Sequence, residues 1–154
     1  MSLLQFGVSL FVARLTRRFG NAVLVAVGVA IILAGLIWLS RITPDTSYLA
    51  GFAGPLALFG IGQGLCFGPL TAAGIAGAPA EDAGAASGLV NTAHQLGSTL
   101  GVAVLTAVGA GAGTLAGRVA EAYTGGAVLI AIALAATLVF ILPADLAARR
   151  RARN

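Results

Sequence analysis

Apolar residues in this chain come in long blocks, and the charges fall between the blocks. Uncharged runs occupy residues 19–40, 46–80, 83–117 and 122–144. None shows strict alternation of apolar and polar positions, which argues against barrel strands. A helix that crosses a bilayer needs about 20 mostly apolar residues. The runs predict spans over residues 22–40, 50–72, 86–108 and 126–143. A fifth apolar stretch, residues 2–13, is too short to cross alone. Arg14, Arg17 and Arg18 follow it, whereas a secretion signal carries its positive charge first. Residues 2–13 are therefore expected to be the tail of a helix that starts outside the chain.

Composition places these helices in a membrane. Hydrophobic residues are 58% of the chain and charged residues 9%, with a mean hydropathy of +0.98. So few charges cannot cover a water-facing surface. In lipid the backbone must satisfy its own polar groups, and helices do so. The expected class is an all-α membrane protein. It has four full transmembrane helices plus a partial N-terminal one, in a single partial domain over residues 1–154. Residues 144–154 form a basic tail.

Arginine sets the orientation. Four spans separate Arg14, Arg17 and Arg18 from Arg149, Arg150, Arg151 and Arg153, so both groups fall on one side. Arg41 and Arg118 fall on the other. Short cytoplasmic loops carry the positive excess, which predicts a multi-pass protein of the cell membrane with a cytoplasmic C-terminus. The net charge of +4 then reports topology, and no nucleic-acid partner is expected.

Catalytic and metal chemistry find little footing. Cys66 is the single cysteine and His94 the single histidine, below the ligand count of a zinc site. Neither a Walker A pattern nor a dinucleotide fingerprint occurs. Ser87 and His94 lie about 10 Å apart along one helix, too far for a nucleophile and its base. No enzyme, metal or cofactor is expected. The five carboxylates, Asp45, Glu81, Asp82, Glu121 and Asp145, fall in loops or at span ends, so the chain carries no intramembrane carboxylate relay.

The third full span holds the most polar chemistry. At 100° per residue, Gly84, Ser87, Gly88, Asn91, His94, Gln95 and Ser98 share one face. Leu89, Ala93, Leu96, Leu100 and Val104 lie opposite, toward lipid. Asn91, His94 and Gln95, with Gln63 in the second span, are candidates to line a substrate cavity. The competing reading is that they only hydrogen-bond neighbouring helices. Gly60, Gly64 and Gly68, and then Gly84, Gly88, Gly97 and Gly101, are predicted to let helices pack closely.

Three stretches resemble a known family. Residues 13–22, ARLTRRFGNA, resemble a decayed copy of the cytoplasmic loop motif G-x-L-x-D-R-x-G-R-R of the major facilitator superfamily. Leu15, Arg18 and Gly20 match it, while Ala13, Arg17, Asn21 and Ala22 depart from it. Residues 54–70, GPLALFGIGQGLCFGPL, resemble a glycine-rich helix of the fourteen-helix drug–proton antiporters. Residues 84–104, GAASGLVNTAHQLGSTLGVAV, resemble the penultimate helix of that branch. The resemblance covers the whole chain but only about a third of a full transporter, in which two bundles rock around a midplane site. It implies the end of a C-terminal bundle, in a protein exporting hydrophobic or cationic compounds in exchange for protons. The implied partners are the lipid bilayer, a small-molecule substrate and a missing N-terminal half.

A small helical protein that oligomerises as an assembly or channel subunit is the alternative, separable by native size in detergent. The arginine pattern makes one direct prediction. Reporter fusions after Arg118 will report the outside and fusions after Arg149 the cytoplasm; both reporting one side would remove the four-span topology.

Overall fold

The computed structural model describes residues 2–41, 49–76, 78–111 and 113–153, and no strand occurs among them. The helices are α1 (Ser2–Phe19), α2 (Asn21–Leu39), α3 (Gly54–Ile75), α4 (Ala83–Gly109), α5 (Leu115–Ala136) and α6 (Leu142–Arg153). A π-helical turn, Leu49–Ala53, leads into α3, and a second, Thr137–Ile141, joins α5 to α6. Asn21–Leu39, Gly51–Ile75 and Gly117–Ala147 are long and apolar enough to cross a membrane. At 27 residues α4 is also long enough, but its serine, asparagine, histidine and glutamine dilute its apolarity. Asp45 and most of its loop lie outside the described residues.

Two helix boundaries differ from the sequence expectation, each for a local reason. The loop expected over residues 14–21 contracts to one residue, because α1 continues through Arg14, Arg17 and Arg18. Gly20 alone breaks the rod, at φ 96° and ψ 162°. Only a residue without Cβ takes this conformation cheaply. The α5 helix begins at Leu115, well ahead of the span expected from residue 126. Thr114 caps it: the backbone is extended there, and the hydroxyl oxygen accepts a hydrogen bond from the Gly117 amide at 3.1 Å.

The bundle is built around α2. One cluster on it joins Val25, Val29, Ile32, Leu36 and Leu39 to Cys66 and Phe59 of α3 and to Tyr123, Ile130 and Leu134 of α5. A second joins Leu24 to Leu65 of α3 and Val12 of α1. The α2–α3 contact is the most extensive in the chain, and α1 packs chiefly on α3. Gly28 faces Gly62 and Cys66, while Gly35 faces Pro55 and Leu58, so α2 and α3 run antiparallel. Gly126 faces Leu36, whereas Asn21 and Ala22 share a hollow of about 450 Å³ with Ala73, Ala144 and Asp145. The Gly20 turn and the start of α6 therefore lie at one end of the bundle.

The glycines behave differently from the expectation. A Cβ on Gly62 would lie 2.6 Å from the Gly28 carbonyl oxygen and 2.7 Å from Ile32 Cγ1. Neither member of this pair has room for a methyl group, and Gly62 lies outside the predicted Gly60–Gly64–Gly68 row. Gly60 and Gly64 are buried, and Gly68 looks toward Val12 of α1 at an ordinary 3.8 Å. Nothing lies within 4 Å of the Cβ positions of Gly84, Gly88, Gly97 or Gly101, so within this chain they do not mediate the close packing expected of them. The reason is that α4 meets its neighbours through side chains: Val90 against Gly74 of α3, and Leu105 and Val108 against Gly125 of α5.

A substitution pair tests this packing. Gly62→Ala forces a methyl group into the α3–α2 backbone contact and will destabilise the folded chain by about 1–3 kcal/mol. Gly101→Ala meets open space and will stay within about 0.5 kcal/mol. Unfolding by denaturing detergent in mixed micelles reads both.

Candidate functional site

The long side chains of α3 and α4 hold the two helices apart along part of their length. Gln63, Cys66, Phe67, Leu70 and Thr71 recur at helical spacing on one face of α3. Ser87, Val90, Asn91 and His94 do the same on α4. These faces, with Val29 and Ile32 of α2 and Ile130 and Ala133 of α5, line a half-open hollow of about 630 Å³ in which Phe67, Ser87, Asn91 and His94 remain exposed. The α2 and α5 walls are apolar, and the polar groups come from α3 and α4. Such a layout, mostly apolar with a few convergent polar groups, suits a small-molecule pocket.

The polar groups divide into those already satisfied and those open to the cavity. The Thr71 hydroxyl donates to the Phe67 carbonyl oxygen at 2.9 Å, within its own helix. Thr92 and Thr99 make the same bond on α4, to Gly88 and Gln95. This internal bonding removes their need for another helix. The Cys66 thiol points toward the Val25 carbonyl oxygen at 3.5 Å. No comparable bond engages the side-chain amides of Gln63 and Asn91 among the described residues. His94 is set by packing: its ring meets Phe67 edge-to-face, centroids 5.5 Å apart and planes at 84°. An aromatic contact of this geometry adds about 0.5–1.5 kcal/mol beyond burial.

Three of the four residues singled out for a cavity, Gln63, Asn91 and His94, thus meet at one hollow. Gln95 is exposed on α4 and does not line it, because one further residue turns it about 100° from His94. Phe67 and Thr71 were missed, although they follow Gln63 at four-residue steps on the same face. Of the loop-motif residues, Leu15 packs against the cluster of Val12, Leu24 and Leu65. Arg18 is exposed, its guanidinium 5.5 Å from the centre of the Phe19 ring, and Gly20 makes the turn.

Comparison with known proteins fits this architecture. The sequence pattern of the Major Facilitator Superfamily matches residues 1–102, from α1 well into α4. The chain belongs to the major facilitator superfamily. It is 44% identical over 137 residues to the cephamycin export protein of Amycolatopsis lactamdurans, covering 84% of this chain and 27% of that protein. It is 37% identical over 108 residues to the puromycin resistance protein of Streptomyces alboniger, covering 69% and 22%. A multidrug resistance protein of Mycobacterium tuberculosis is 37% identical over 103 residues, covering 66% and 18%. The chain spans between 18% and 27% of the length of the curated relatives it matches, less than the third implied by the resemblance. No solved structure matches it. As a member of the major facilitator superfamily, the chain is a membrane protein, and the relatives named here are proteins of cephamycin export, puromycin resistance and multidrug resistance.

Thiol chemistry tests the placement of the polar face. In a Cys66→Ala background, Gln63→Cys and Asn91→Cys will react with a water-soluble maleimide about tenfold faster than Leu129→Cys, an outward apolar position on α5. Equal rates at all three positions would place Gln63 and Asn91 outside a water-filled hollow.

Proposed function

We propose that the chain is the C-terminal part of a proton-coupled exporter in the cell membrane, and that its cavity is one wall of the substrate path. The observation that carries this reading is the convergence of Gln63, Asn91 and His94, from two helices, on one hollow lined otherwise by apolar side chains. Amides used only to tie helices together would be bonded across α3 and α4. These are not, which favours the cavity reading over the helix-bonding one. The export relatives support an outward direction of transport.

The coupling machinery belongs to another part of the transporter. Glu81 and Asp82 precede α4, and Glu121 and Asp145 fall within Gly117–Ala147 but near its two ends, whereas proton relays run through acidic groups at membrane depth. The faces of α4 that bear Gly84, Gly88, Gly97 and Gly101 are open in this chain, and a missing N-terminal bundle would cover them. The arginines at the end of α1 and in α6 support a cytoplasmic position for that end of the bundle.

The purified chain reconstituted in liposomes with an imposed proton gradient tests this division of labour. It will not drive efflux of a loaded dye, and the complete transporter containing it will. Proton-driven efflux by the chain alone would contradict the proposal, and a steady ion conductance would support the oligomeric channel alternative instead.

A further inference from the structure

The charge of the cavity wall narrows its ligand. Gln63, Thr71, Ser87, Asn91 and His94 are its polar lining, and no described lining residue is a carboxylate or an arginine. The acidic residues nearest along the helix, Glu81 and Asp82, precede α4 and lie about 13 Å along its axis from Asn91. A cation held against this wall would gain no counter-charge from it, which is unfavourable at membrane depth. Phe67 is the one aromatic ring on the wall, and its contact with the His94 ring occupies part of it. An amide or carboxylate end meets the opposite situation. Gln63 and Asn91 each offer an N–H₂ donor and a carbonyl acceptor, and His94 offers a ring N–H.

We propose that the cavity takes apolar compounds whose polar end is an amide or a carboxylate and discriminates against cations. This rests on the cavity reading of the preceding subsection. It departs from the cationic cargo that the antiporter resemblance implies. The apolar body of the ligand lies against Ile32 and Ile130, and its polar end meets Gln63, Asn91 and His94.

The test uses the 154-residue chain in nanodiscs of zwitterionic phosphatidylcholine, so that lipid charge does not sort the ligands. Three fluorescent probes share one dansyl body: dansylamide, dansylglycine and dansylamidoethyl-trimethylammonium. The amide and the carboxylate will bind about tenfold tighter than the ammonium compound. Asn91→Asp, which adds the missing counter-charge, will reverse the order of carboxylate and ammonium. His94→Phe will weaken the carboxylate probe several-fold and leave the amide probe nearly unchanged. Saturable binding with the ammonium probe equal or tighter would overturn the proposal and leave the cavity reading intact. Absence of saturable binding, or binding of all three probes indifferent to both substitutions, would overturn the proposal, and the maleimide reactivity of positions 63 and 91 would then decide the cavity reading separately.

Discussion

The backbone contact between Gly28 of α2 and Gly62 of α3 is the constraint on which the rest of the bundle depends. In lipid the hydrophobic effect does not drive helices together, and close van der Waals contact takes over. Two residues without Cβ, facing each other, let the antiparallel backbones touch at the middle of the pair. Gly35 against Pro55 and Trp38 against Gly54 continue the contact toward the far end. With α3 fixed on one side of α2, the apolar positions from Val25 to Leu39 remain free to receive Tyr123, Ile130 and Leu134 of α5. The α2 helix is thereby the best buried of the candidate spans, half inside the bundle.

The same constraint creates the hollow. Gln63 follows Gly62 directly, so the α3 face turns away from α2 just where the two backbones touch. The α4 helix cannot close on α3 at that level, because the Phe67 and His94 rings stand between them. It is held near one end by Val90 and near the other by Leu105, Val108 and Gly109. The α4 helix is anchored at separated points, with most of its surface exposed. A polar wall on such a helix can face a substrate path without burying unpaired amides in a sealed core, which would be expensive.

Much of this was legible in the sequence. Block hydropathy gave the helical class, and the 100° projection of α4 gathered Asn91 and His94 on one face with Ser87. The helix ends were less legible, since Thr114 caps a helix through a polar stretch that hydropathy reads as loop. The glycines show the limit of pattern reading most clearly. Four-residue spacing selected Gly60, Gly64 and Gly68, yet the tight contact runs through Gly62, and its partner Gly28 sits alone in an apolar helix without any repeat. Spacing shows which small residues share a face, but only the neighbour's position shows which face is pressed. Gln95 failed for a related reason: it belongs to the polar half of α4 but lies past the edge of the hollow. Phe67 was passed over because an aromatic residue in an apolar helix carries no distinguishing signal.

The claim that α3 and α4 present Gln63 and Asn91 to one shared hollow is tested most directly by cross-linking in native membranes. In the Cys66→Ala chain, a short bifunctional thiol reagent will join Gln63→Cys to Asn91→Cys in high yield, while Gln63→Cys paired with Leu89→Cys on the outer face of α4 will stay uncoupled. Coupling at position 89 with none at 91 would show that α4 is rotated and that its polar face lies elsewhere.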